Sequence, residues 1–511
     1  MVVNKSSQQY RRLGIAVLAI ALLAGGAGAA TEINSCTSIS SPGEYVLNQN
    51  IISSSASTCI NIVSSNVVLD GMGHTVSGTG TADTRGVDVH SQTTALANIT
   101  VKNLVVSNWD SGIYYNNTQK GSILNNDASN NQYGILLEAA SDNNTLGGNT
   151  ASSNNNYGIV ISHSEGNTLI GNTANSNNKT GIALFFSGSN MLSGNTANSN
   201  KLFGILLDLS STNNIVNNNI ADSNNVGIFL HSQSDSNTLS DNSLSSNFRG
   251  VFFDASTSGN KVLNNSVSLS PNYGISLFLS NNNVLKGNTA SGNGRGINLD
   301  ESNGNLVADN MVLNNNLLAD SGIHLDLSSG NNITGNKVSG NNQGIFLNSS
   351  SNNFIYNNYF NNTNNVFDNG NNIWNIAKTA GENIIGGPNL GGNFWSDYTG
   401  NDLNGDGLGD TMVPYNSAGK IINGGDSLPL VIPTPTTTPT PTVTPIITPT
   451  ITPTITLTPT RTPVVTPART PIVTPAPTGN QPVPVPEFPA GIVFSIAGIM
   501  GMVYMLARRR G

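Results

Sequence analysis

Four aspartates and a histidine, Asp208, His231, Asp254, Asp300 and Asp326, share one address: each stands four residues after a recurring glycine. In an extended segment, residues two and four after that glycine face one side, and residues one and three face the other. If successive copies stack as neighbouring strands, like residues lie ~4.8 Å apart on adjacent copies and ~9.6 Å apart on alternate ones. Asp300 and Asp326 then approach the short carboxylate separation of retaining glycosidases. Asp208 and Asp254, with His231 between them, approach the long separation of inverting ones. Phe185 and Phe278 occupy the same fourth position, Phe229 and Phe252 the second, and Arg249 and Arg295 directly precede repeat glycines. Rings beside carboxylates suit a carbohydrate-binding strip, where rings lie on sugar C–H faces and acids accept hydroxyl hydrogen bonds. The same residues also suit a polysaccharide hydrolase or lyase, or a solvated and mildly acidic surface.

A second constellation is DLNGDGLGD, Asp402 to Asp410. Asp402, Asn404 and Asp406 fall at positions one, three and five of a calcium loop. Gly407 takes the turn, Leu408 offers a carbonyl at seven, and Asp410 falls at nine. Val413 stands where the bidentate acid belongs, so Asp397 or Asp426 would have to substitute. The expectation is a structural Ca2+ that pins the end of the fold.

These residues need a frame to hold them in line. The glycine opens a Gly-hydrophobic-x-hydrophobic unit that recurs from Gly86 to Gly344 at a mean spacing of about 23.5 residues. An Asn-x-aliphatic-x-x-Asn unit keeps the same beat, as in NTLIGN from Asn167 and NMLSGN from Asn190. Each unit is too short and too alternating for a helix. One turn cannot bury its apolar side, whereas stacked turns build a continuous core. The expected fold is all-β, a single-stranded parallel β-helix of ~23-residue turns. Asparagine suits its corners because it tolerates left-handed backbone, and aligned amides can hydrogen-bond from turn to turn. Cys36 and Cys59 are 23 residues apart, one period, which stacks them on adjacent turns as a disulfide.

The flanks are of another kind. Lys5, Arg11 and Arg12 precede an apolar run from Leu13 to Leu23 and small residues to Ala30, the pattern of a signal peptide over 1–30. The β-helix is expected over 31–380 and a cap with the calcium loop over 381–432. Seventeen of the 22 prolines lie between Pro433 and Pro489, so 433–485 reads as a disordered, extended Pro/Thr linker. Its threonines suit O-glycosylation, and sequons stand at Asn98, Asn178 and Asn332. An uncharged run from Ala490 to Ala507, followed by Arg508, Arg509 and Arg510, suits a transmembrane helix with a cytoplasmic end. Charged residues are only 9% of the chain and the net charge is −8, so no basic face is available for nucleic acid.

Residues Thr31 to about Pro429 resemble the NosD-like, or CASH, right-handed β-helix proteins. The Gly-Ile-x-Leu and Asn-x-Leu-x-x-Asn repeats carry the resemblance, with SCTSISSPGEYVLNQNI, DGMGHTVSG and GGNFWSDYTGNDLNGDGLGD. It implies a β-helix that binds or cleaves sugars, and, as a second association, periplasmic copper handling. The five histidines, His74, His90, His163, His231 and His324, form no Met/His/Cys cluster of the kind copper favours. The ending Pro486-Glu487-Phe488, apolar run and basic tail (486–511) resembles the archaeal PEF-CTERM sorting signal, which implies processing by an archaeosortase. Together these expectations describe a secreted ectodomain anchored at the outer cell surface. Its partners would be extracellular glycans or envelope components.

Overall fold

The computed structural model describes residues 29–432, apart from Gln92 and residues 318–320. The expected signal peptide (save its last two residues), the Pro/Thr linker and the sorting signal lie outside the described residues. Within them the chain winds as a right-handed parallel β-helix with no α-helix. Three parallel sheets run along its length. A wide sheet of 16 strands begins at Thr37–Ile39 and ends at Ile421–Asn423. A narrow sheet of 15 mostly three-residue strands runs from Thr31–Ile33 to Phe354–Tyr356. A third starts with Thr75–Ser77 paired to Val105–Ser107, continues as single bridges from Val105 through Asp127, Thr150, Thr173 and Thr196, and becomes seven strands from Ser243–Ser245 to Phe394–Trp395.

Every turn sends like side chains to like places. The wide strands turn two aliphatics inward, such as Ile205 and Leu207 of Phe203–Asp208, and the narrow strands turn one, such as Val216. All three of these are fully buried, and with their counterparts they form one continuous apolar spine. Each repeat glycine sits where the chain turns into the wide sheet. A Cβ on Gly181 would lie 2.7 Å from the carbonyl oxygens of Ala174 and Gly204, and 2.8 Å from Asn200 Nδ2. That close approach of neighbouring coils is why the position is glycine.

The buried asparagines close the corners. Asn172 Oδ1 accepts from the backbone N–H of Asn149 at 3.0 Å and from Asn149 Nδ2 at 2.9 Å. Its own Nδ2 donates to the Leu146 carbonyl and to Asn195 Oδ1, each at 2.9 Å. Both amide hydrogens and both oxygen lone pairs are used, so a buried polar group costs little here. One such ladder runs from Asn126 to Asn393, and another from Asn144 to Asn372. The expected left-handed role of these asparagines is corrected, because none of the ladder members has positive φ. The residue before each one does, except at the final members Asn372 and Asn393: Asn143, Gly166 and Ser189 precede Asn144, Asn167 and Asn190. The turn and the ladder are separate tasks given to adjacent residues.

Cys36 and Cys59 are disulfide-bonded between adjacent coils, with Cα atoms 4.3 Å apart. At the other end the coil continues past residue 380. Phe394–Trp395 pairs with Tyr359–Asn361, and Ile421–Asn423 pairs with Asn364–Asn371. The segment set apart in sequence as a cap therefore completes the last turn. Buried Trp374 and Trp395 close it, their indole N–H groups donating to Asp368 Oδ2 (3.0 Å) and Asp426 Oδ2 (2.9 Å). Asp426 is fully buried, and burial raises its pKa to about 6.

Candidate carbohydrate-binding face

The outer side of the wide sheet carries three columns, not the two that alternation from the glycine provides. In strand pairing the residue before the glycine and the residue after it are matched across coils while the glycine is passed over, as in Ser111 with Tyr133 and Ile113 with Ile135. This break in the alternation leaves the preceding residue outward as well. Tyr133, Tyr157, Phe203 and Tyr273 occupy that column and are half-buried. Tyr133 and Tyr157 stack with ring centroids 5.7 Å apart, and Phe203 meets Phe229 at 5.0 Å. These four aromatics escaped the sequence reading, although an aromatic residue before the glycine recurs visibly.

The second column behaves differently. Phe229 and Phe252 stack at 5.2 Å and are only 7% and 9% exposed. With Phe185, also 7% exposed, Val160, Ala183 and Leu206, they form an apolar cluster separate from the spine. Phe185 belongs to the fourth column and meets Tyr157 edge-on at 6.0 Å. Of the four phenylalanines singled out in sequence, Phe278 alone is half-exposed. Rings on adjacent coils stand close enough to cover one another, so Phe229 and Phe252 are nearly buried while Tyr133, Tyr157 and Tyr273 stay half-buried.

The fourth column holds the acids. His231 Nδ1 lies 2.9 Å from Asp208 Oδ1 and 2.7 Å from Ser232 Oγ. Asp208 Oδ1 also accepts from the Leu209 N–H at 2.7 Å, and Asp254 Oδ1 accepts from the Ala255 N–H at 2.6 Å. Burial works to lower the His231 pKa, yet the hydrogen bond and charge of Asp208, with the charge of Asp254, hold it above its ordinary value. Asp300 and Asp326 are register partners on adjacent strands, and Asn348 Nδ2 donates to Asp326 at 2.7 Å. Burial raises the Asp300 pKa, and the charge of Asp326 adds to the rise. The structure thus brings Asp208, His231 and Asp254 together on successive coils, and Asp300 with Asp326 in a second group.

The loop from Asp402 to Asp410 is built on its own N–H groups. Asp402 accepts from Gly405 (2.8 Å) and Gly407 (2.7 Å), and Asp406 from Leu408 (2.9 Å) and from Lys378 Nζ (2.6 Å). Asp410 accepts from Leu403 at 2.7 Å. Asp397 instead accepts from the Tyr415 hydroxyl at 2.7 Å, and Asp426 is committed to Trp395, so neither turns toward the loop as a further ligand.

The class defined by this architecture is the parallel β-helix bearing an aromatic and acidic outer face. Within it the chain belongs to the family described as periplasmic copper-binding protein (NosD), whose model matches residues 48–226, 175–270 and 267–400. Among solved structures it is similar to the periplasmic alginate epimerase AlgG (14% identity, covering 61% of this chain and 76% of that one, TM-score 0.41). It is similar also to the A-module of the Azotobacter vinelandii mannuronan C-5 epimerase AlgE4 (16%, 64% and 89%, 0.41) and to the Dettilon tailspike protein (16%, 54% and 60%, 0.36). A likeness of this size is one of general shape. No curated protein shows a significant match.

The donor set does not suit the family's copper. Among the described residues no three His, Cys, Asp or Glu side chains converge as a metal site. His74 pairs with Asn50, His90 with Asp88, His163 with Phe186, His231 with Asp208 and His324 with Phe346, each on a different part of the coil. Both cysteines are held in the disulfide. Among the described residues, soft ligands are not gathered where copper could use them.

Proposed function

We propose that the protein is an extracytoplasmic polysaccharide-binding β-helix, displayed at the cell surface, with its ligand laid along the outer face of the wide sheet. One observation carries this reading. Half-buried Tyr133, Tyr157, Phe203 and Tyr273 line one edge of a rigid strip whose opposite edge holds Asp208, His231, Asp254, Asp300 and Asp326. Rings supply apolar platforms for sugar C–H faces, and carboxylates accept hydroxyl hydrogen bonds at a fixed spacing. Stacked strands, and for His231 and Asp254 the turns directly after them, fix these side chains, so little ordering cost opposes binding. The test is binding of the purified full-length protein to a panel of neutral and acidic polysaccharides, repeated with Tyr157→Ala and Tyr273→Ala. Each substitution is expected to weaken binding about tenfold, equivalent to roughly 1.4 kcal/mol. Wild-type protein that binds nothing in the panel would refute the proposal.

A second reading has its own observation, the Asp208–His231 contact with Asp254 on the next coil. A histidine held between two carboxylates is a fit general base or acid for cleaving a glycosidic bond. Release of reducing ends or unsaturated products, abolished by Asp208→Asn, would establish it. Intact polymer after prolonged incubation would exclude it.

A further inference from the structure

Three arginines occupy the column before the repeat glycine, Arg85, Arg249 and Arg295, and they differ in what meets their guanidinium groups. Arg85 donates from Nη1 to Asp88 at 2.9 Å, and Arg295 donates from Nη1 to Asn298 at 3.0 Å. Asp88 and Asn298 each sit three residues further along the same strand. In the strand Arg249–Phe253 that place is taken by Phe252. The Arg249 guanidinium carbon lies 4.5 Å from the Phe252 ring centre and 5.8 Å from those of Phe248 and Tyr273. Its Nε is buried without a hydrogen-bond partner, and Arg249 makes no salt bridge among the described residues. A guanidinium thus fixed in plane, with its fork of N–H donors unused, is prepared for a planar or tetrahedral oxyanion.

We propose that Arg249 recognises an anionic substituent on the ligand, a carboxylate or sulfate ester borne by a sugar ring; this rests on the strip being a polysaccharide-binding face. Charge is arranged across the strip to orient such a ring. The column before the glycine holds three arginines and no acid, whereas the fourth column holds Glu138, Asp208, Asp254, Asp300 and Asp326 and no Lys or Arg. Five residues of chain separate the two columns, at most about 16 Å at ~3.3 Å per residue, and side chains lean across the gap, as where Tyr157 meets Phe185 at 6.0 Å. The anionic group faces the arginine edge and the hydroxyls face the acidic edge. A cation kept partly from water gains most from a ligand that supplies the missing charge.

The test uses the purified full-length protein and two matched pairs of polymers: polygalacturonate against its methyl ester, and dextran sulfate against dextran. At least one acidic polymer should bind ten times or more tightly than its neutral twin. A preference within the first pair assigns a carboxylate, and one within the second a sulfate ester. Arg249→Gln should remove the preference, bringing the affinity for the acidic polymer down to that for its neutral twin. Arg249→Lys, which keeps the charge without the planar fork, should retain part of it and guard against a folding artefact. Lys261→Gln, on an exposed position of the narrow sheet, should change nothing. Equal binding of acidic and neutral twins, or a preference that survives Arg249→Gln, would overturn the assignment and leave the strip intact as a glycan face. Failure to bind any of the four polymers would sink both.

Discussion

The asparagine corners and the outer strip of the wide sheet are built by the same device, one residue type repeated on successive coils, yet they end in opposite conditions. A corner amide carries as many donors as acceptors, so Asn149, Asn172 and Asn195 satisfy one another and leave nothing over. The strip repeats rings and charges, which cannot close on themselves. Its histidine is held by a carboxylate, its acids sit side by side, and Arg249 keeps its Nε unpaired. Repetition of a self-complementary group makes structure, and repetition of a group without its complement makes a surface awaiting one. The corners should therefore govern stability, and the strip should govern binding.

The sharpest way to break that division is to cut a ladder in mid-run. Asn195→Ala strands the backbone N–H and Nδ2 of Asn172, and removes the donor to the Leu169 carbonyl. Two or three orphaned buried groups at roughly 1–3 kcal/mol each should cost about 3–6 kcal/mol in denaturant unfolding. By contrast Asp254→Asn in the strip should change stability by less than about 1 kcal/mol. Equal losses at both places would erase the distinction.

The closing turn supplies a third condition, an acid buried among donors, and its signature is a pH dependence. The folded pKa of Asp426 lies at about 6, above its ordinary 3.8. Its contribution is then fully present below about pH 4 and lost as pH rises through 6. The raised value corresponds to at most about 3 kcal/mol. Asp426→Asn should flatten the dependence of unfolding free energy on pH across that window. An unchanged profile would show that another group sets it.

At the opposite end, Cys36→Ser with Cys59→Ser should cost about 2–4 kcal/mol by releasing the first coils. Limited proteolysis should place the new cleavage among the first coils and leave the strip undisturbed. A smaller effect is expected at the Asp402–Asp410 loop, which we propose takes Ca2+ by displacing Lys378 from Asp406. Calcium against chelator should raise the melting temperature by roughly 2 °C, a ΔΔG on the order of 1 kcal/mol for a chain of this size. No shift at millimolar calcium would remove the ion from the account.

Most of the coil was legible because burial repeats: Gly-Ile-x-Leu and Asn-x-Leu mark inward positions, filled at other turns by Val, Phe or Tyr. The disulfide followed from the same period. What stayed hidden was local. Counting alternately from the glycine turns the preceding residue inward, and only the skipped pairing at that glycine reveals Tyr157 or Arg249 on the outer face. Composition did not tell the turning residue from the bonding one: Ser189, Gly166 and Asn143 turn the chain, and Asn190, Asn167 and Asn144 bond it. Mutual covering of Phe229 and Phe252 depends on how large rings crowd at the spacing of adjacent strands, which residue type alone does not disclose.

Hydroxyl-radical footprinting of the full-length protein, with and without a bound polysaccharide, addresses the central claim most directly. Protection is predicted at Tyr133, Tyr157 and Tyr273, while Tyr45 on the narrow sheet and Tyr359 on the third keep their reactivity. Protection on those other faces with none on the wide sheet would contradict it.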